Sequence, residues 1–172
     1  MTLSRVLAFR AAGVACAADP ADVERILRPG KLLPAPGAPA WIAGLVVGPR
    51  GLLAVIDVGR RLFPSIEGKV PRDLLAGTFD GVPAALGADE IEGILPVASG
   101  DGTPPAGLPA CVAACLKGIV VAGGERRLLL DVRRLVAGDV EVAAGVVEIA
   151  EAAARAARQI GSETAERRDQ SS

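Results

Sequence analysis

The chain of 172 residues is long enough for one domain or two small ones sharing a core, and 51% hydrophobic with 23% charged residues favours a packed body over disorder. It contains no His, which excludes His-dependent nucleophile systems, His-containing zinc sites and a phospho-accepting imidazole. Nineteen basic against twenty acidic residues and an aromatic content of 2% leave neither the cationic surplus nor the stacking platforms that nucleic-acid binding needs.

The first apolar run, Val6 to Ala18, is interrupted by Arg10, so it reads as neither a signal peptide nor a membrane helix. No stretch approaches 18 uncharged apolar residues, and no direct membrane insertion is expected. Leu3 to Phe9 and Val14 to Ala18 instead read as strands flanking a turn at Ala11 to Gly13. Val46-Val47 and Leu52 to Ile56 flank Gly48-Pro49-Arg50-Gly51, a turn with Pro at its second position. Leu74 to Phe79 and Val82 to Leu86 flank Asp80-Gly81, and Val120-Val121 and Arg127 to Leu130 flank Gly123-Gly124. Asp57 and Asp131 each stand where they would cap a one-turn helix ending in Arg-Arg-Leu.

These hairpins belong to a duplication. Residues 13–62 lie against 81–135: Asp22 to Leu27 pairs with Glu90 to Leu95 at an offset of 68, and Gly44 to Val47 with Gly118 to Val121 at an offset of 74. The offset grows in the Gly/Pro-rich loop around Asp101 to Pro109, where insertion is cheap. Two similar units of about five short strands predict two small closed barrels, over residues 1–138.

From Val142 the apolar positions run Val142, Val146, Ile149, Ala153, Ala156 and Ile160, a helical period, with Asp139 as N-cap and Gly161 as stop. This predicts an amphipathic helix over residues 139–161 that packs on the barrels or on a partner helix. A polar, frayed tail is expected over residues 162–172.

The run Pro39-Ala40-Trp41-Ile42-Ala43-Gly44, then Pro49-Arg50-Gly51, then Ala54-Val55-Ile56-Asp57-Val58, resembles the CheW family of bacterial chemotaxis coupling proteins. Asp89 to Ile94 and Leu116 to Leu135 continue the match in the second half, so the resemblance covers residues 3 to about 137. It implies a mainly β fold of two five-stranded, SH3-like barrels side by side, to which the C-terminal helix is added. It also implies a non-enzymatic adaptor coupling the cytoplasmic tip of a methyl-accepting chemoreceptor to the regulatory domain of a chemotaxis-type histidine kinase. The expected location is the cytoplasm, within membrane-associated receptor arrays. The alternative is a scaffold of the same fold serving a dedicated, non-chemotaxis partner.

The residues expected to meet a partner are Val23, Glu24, Arg25 and Ile26 in the third strand, with Arg50 and Gly51 at the turn. Two departures from the family pattern bear on that surface: Gly48-Pro49 precedes Arg50, and Arg25 occupies a position that is commonly acidic. No catalytic residue is expected. Asp57 and Asp131 lack the acidic pair of a phosphoacceptor site, and Glu90 and Glu92 read as an exposed strand edge. Cys111 and Cys115, four apart behind Pro109, read as small buried residues; no metal or other cofactor is expected, and three Cys without CxxC spacing fit a reducing compartment. Residues 1–70 carry nine basic and five acidic side chains and residues 71–139 six and nine, a polarity that favours head-to-tail association of barrels.

Overall fold

A computed structural model describes residues 3–79, 81–137, 144–152, 154–156 and 158–159. Ten strands are described: β1 (Arg5–Ala11), β2 (Val14–Ala18), β3 (Arg25–Leu27), β4 (Ile42–Gly48), β5 (Gly51–Asp57), β6 (Asp73–Phe79), β7 (Val82–Ala88), β8 (Glu90–Asp101), β9 (Leu116–Ala122) and β10 (Glu125–Leu130). Three short helices, α1 (Val58–Leu62), α2 (Ala110–Ala113) and α3 (Val132–Ala137), lie between and after them, and residues 144–152 continue as a further helix.

The duplication is present in the order of elements, but the two halves do not make one barrel each. The closed barrel runs β1-β2-β10-β9-β8, and the second sheet runs β3-β6-β7-β5-β4. Each repeat thus lends its first hairpin to the strands of the other: β1-β2 joins β8 to β10, and β6-β7 joins β3 to β5. Parallel pairings of β2 with β10, at Cys16 and Leu128, and of β5 with β7, at Ala54 and Ala84, stitch the exchanged hairpins in place. The mainly β fold of two five-stranded units is as expected, with each sheet drawing its strands from both repeats. Local strand patterning sets which residues form hairpins but not which sheet a hairpin enters.

The exchange fuses the units through a shared core. Leu7, Phe9 and Cys16 from one hairpin and Leu75, Phe79 and Leu86 from the other pack with Ile56, Val58, Leu130 and Leu135 in one buried cluster. Smaller clusters fill each sheet: Val6, Ala17, Val120 and Leu129 in the closed barrel, and Leu53, Val55, Leu74 and Ala85 in its counterpart.

Only one sheet closes fully. β8 is twelve residues long; it pairs with β1 near its start and bends so that Val97 to Asp101 pair with β9. The equivalent segment of the other sheet breaks after Leu27, because Pro29 has no N–H to donate and Gly30 gives no side chain to pack. A single bridge from Leu33 to Leu45 of β4 remains, with hydrogen bonds of 2.8 and 2.9 Å.

The capping roles of Asp57 and Asp131 are as expected: each carboxylate accepts an N–H at 3.1 Å, from Arg60 and Arg134 respectively. Three other expectations change. Cys115 is buried but Cys111, on the outer side of α2, is exposed. Glu92 lies on the stretch of β8 that pairs with β1 alone, the edge that was expected, but its carboxylate is engaged there, by Arg10 Nε at 2.9 Å and by the buried guanidinium of Arg127. The C-terminal helix lies on the outer face of β4 and β5, with Val146, Val147 and Ala150 against Leu45 and Ala54, while Ile149 is 65% exposed. Val147 and Ala150 thus take the place the 4-3 pattern gave to Ile149. The proposed Asp139 cap, Val142, Ala153, Ile160 and the Gly161 stop lie outside the described residues, as do Asp80 and the tail.

Candidate partner-binding site

The third strand and the Pro49-Arg50 turn are separated by more than twenty residues, yet the fold brings them together at one end of the open sheet. β4 and β5 are joined by a two-residue loop, Pro49-Arg50, with Gly48 paired to Gly51. Gly51 has φ +132, a region that a Cβ disfavours, so the tight return depends on glycine. β3 reaches the same end on the other side of the β6-β7 hairpin, preceded by a one-turn helix over Pro20–Asp22 that Asp19 caps.

Across that end Arg50 Nη2 lies 3.3 Å from Glu24 Oε2 and 3.5 Å from Thr78 Oγ1. Arg50 and Glu24 are 71% and 53% exposed, so the pair adds at most about 1 kcal/mol to stability. Its effect is positional: it holds a guanidinium upright beside the turn. The groove below, about 340 Å³, is lined by Glu24, Arg25, Pro49, Arg50, Leu52 and Pro83 among others. Arg25 is exposed and makes no ion pair among the described residues.

Val23 and Ile26 line a second groove, of about 210 Å³ between β3 and β8, that also includes Leu7, Pro20 and Ile94 and that Glu24 and Arg25 border as well. Val23 is half-buried, with its N–H on Pro20 O at 3.2 Å. Ile26 and Ile94 are 48% and 51% exposed, an unusual outlay of apolar surface on a paired strand. All six expected residues therefore fall on one continuous region, Arg50 with Glu24 and Arg25 above, Val23 with Ile26 below, and Gly51 at the turn. Ile94 and Thr78 were not anticipated. Ile94 carries a sequence signal, being an apolar residue on a strand whose neighbours Glu90 and Glu92 are charged, but its facing partner Ile26 is set by tertiary pairing.

The electrostatics follow the exchanged fold and not the sequential halves. Residues 24–88, which hold the open sheet, carry eight basic and five acidic side chains; residues 3–23 with 89–137 carry seven and eight. The candidate surface thus sits on the more basic unit. Burial pushes the Cys16 thiol up to about 12, which keeps it protonated and unreactive at neutral pH. No group of three or more metal-ligating side chains gathers among the described residues, and no described helix is long and apolar enough to cross a membrane.

A family model for the CheW-like domain matches residues 5–140. Among solved structures, the chain is similar to the crystal structure of scaffolding protein TtCheW from Thermoanaerobacter tengcongensis, with a TM-score of 0.65 over 78% of this chain and 88% of that one. At 18% identity that likeness is one of fold. No curated protein matches the chain.

Proposed function

Because the chain belongs to the CheW-like domain family, over residues 5–140, we propose that it is a non-enzymatic adaptor that couples chemoreceptors to a chemotaxis-type histidine kinase. Family membership supports the coarser part of this reading, a scaffold in chemotaxis-type signalling. The observation that carries the finer part is the convergence of Glu24, Arg25 and Arg50 with exposed Ile26 at one end of the open sheet. Arg and apolar side chains side by side on a rigid strand end are the composition of a protein-binding surface, with the guanidinium supplying orientation and the apolar groups supplying desolvation energy.

In this reading a kinase regulatory domain meets the Arg50 end and a receptor tip lies along the apolar groove at Ile26 and Ile94. A specific observation keeps a dedicated partner in view: Arg25 is exposed and makes no ion pair among the described residues, which rewards a partner carrying a carboxylate opposite it and penalises one carrying a cation. Co-migration of the full chain with a purified kinase regulatory domain in size-exclusion chromatography tests the proposal. A shared peak supports kinase coupling; separate peaks at high micromolar concentration would move the assignment to the dedicated scaffold.

A further inference from the structure

The helix described from residue 144 lies outside the family match, which ends at residue 140, yet it packs beside the proposed partner surface. Val146, Val147 and Ala150 sit on Leu45 and Ala54, and Glu151 Oε1 is 3.7 Å from the point where a side chain on Gly51 would begin. The helix therefore runs along the β4-β5 hairpin toward its turn. At 1.5 Å per residue, Arg155 and Arg158 lie about 6 and 10 Å further along the axis than Glu151. At 100° per residue both fall within about 40° of Glu151 around it, on the flank that faces the turn. Both are exposed, and neither makes an ion pair among the described residues.

A specific interface covers about 800 Å² on each partner, a patch roughly 15 Å in radius. A patch centred on Arg50 then has to include the end of this helix. We infer that Arg155 and Arg158 extend the partner surface past the Pro49-Arg50 turn and, with Arg25, make it a cationic rim that fits an acidic surface on the partner. The inference rests on the adaptor reading above and names the chemistry of its partner. Charge decides the sign. Arg50 is matched by Glu24, and Glu151 lies against Gly51 on the same flank of the helix, whereas Arg25, Arg155 and Arg158 meet no carboxylate among the described residues. Opposite potentials of this kind act mainly on the rate of association and weaken with salt.

The test uses the full chain and, as probe, a purified kinase regulatory domain, with binding measured at low and high ionic strength. Reversing both charges, Arg155→Glu with Arg158→Glu, is expected to lower affinity about tenfold or more at low salt, chiefly through a slower association rate, and by much less at high salt. The melting temperature should stay unchanged, since both side chains are exposed. Arg126→Glu, at an exposed cation on the closed barrel that makes no ion pair among the described residues, serves as the control and should leave binding unaltered. Binding that survives the double reversal, or that falls equally with Arg126→Glu, overturns the cationic rim while leaving the adaptor reading intact. Failure of the unaltered chain to bind the probe at any salt overturns the adaptor reading itself and this inference with it.

Discussion

Gly44 and Gly118, seventy-four residues apart, occupy the same place in the two sheets, each pressed against the segment that bridges to the next residue of its strand. Their φ values are +152 and +150, and a Cβ on Gly44 would lie 2.6 Å from the carbonyl oxygen of Leu33, while one on Gly118 would collide with that of Asp101. Leu33 and Asp101 are equivalents too, bridging Leu45 and Ile119. Alanine at either glycine meets both a forbidden backbone region and another backbone, so no rotamer change relieves it. Gly44→Ala and Gly118→Ala should each cost at least ~2 kcal/mol, read as lowered midpoints in denaturant titrations. Gly118→Ala should cost more, because its neighbours belong to a continuous strand whereas Gly44 faces a single bridge.

The closed barrel carries one buried cation. Arg127, 3% exposed, donates to Ala122 O at 3.0 Å and meets Glu92, which Arg10 also engages, while Arg10 and Arg127 share Glu125. Arg127→Ala leaves Glu92 and Glu125 with Arg10 alone and a void where the guanidinium lay. A loss of about 3 kcal/mol in chemical denaturation is expected. Arg126→Ala, its exposed neighbour, should stay within about 0.5 kcal/mol.

Cys16 gives the protein an alkaline limit. Its thiol titrates at 9.0 when unperturbed and at about 12 in the fold, where burial disfavours the thiolate. Because the folded value is the higher one, the stabilisation is fully present below pH 9 and is lost as pH rises from 9 toward 12. By pH 10 this single group should lower stability by about 1 kcal/mol. Thermal melts of Cys16→Ala should show a flatter decline between pH 8 and 10 than those of the parent chain.

The C-terminal helix contributes through the residues that touch the sheet. Val146→Ala or Val147→Ala should lower stability by about 1 kcal/mol, since these side chains cover Leu45 and Ala54. Ile149→Ala, with the side chain 65% exposed, should be neutral in the same melts. Equal losses at Val147 and Ile149 would show the helix rotated from this position.

How much of this was legible in the sequence depends on the range of the interaction that decides it. Asp57 and Asp131 as caps, the tight turn at Pro49-Arg50 and the equivalence of Gly44 with Gly118 are all local, and sequence patterning placed them. The exchange of hairpins is not local: β2 carries the same small apolar residues whether it joins its own repeat or pairs with Leu128 of β10. The open seam had a visible cause in Pro29, but its consequence needed the length of β8 for comparison. Val146, Val147, Ile149 and Ala150 span both sides of one helical stripe, and only the sheet beneath selects which of them are covered. At the candidate site, Arg50 stood out by matching a pattern and Arg25 by departing from it, whereas Ile94 needed the groove opposite Ile26 to be seen.

The central claim is that this chain binds a kinase regulatory domain through the end of the open sheet, and titration calorimetry of that domain against the parent chain, Arg50→Glu and Arg25→Glu tests it most directly. Both substitutions are exposed and should leave the melting temperature within a few degrees. Arg50→Glu sets two carboxylates, its own and that of Glu24, against each other at the turn and should weaken binding at least tenfold. Arg25→Glu should weaken it too, because the rim that Arg25 belongs to meets an acidic surface on the partner. Unchanged affinity for both variants would contradict the account, and would place the partner surface away from β3 and the Pro49-Arg50 turn.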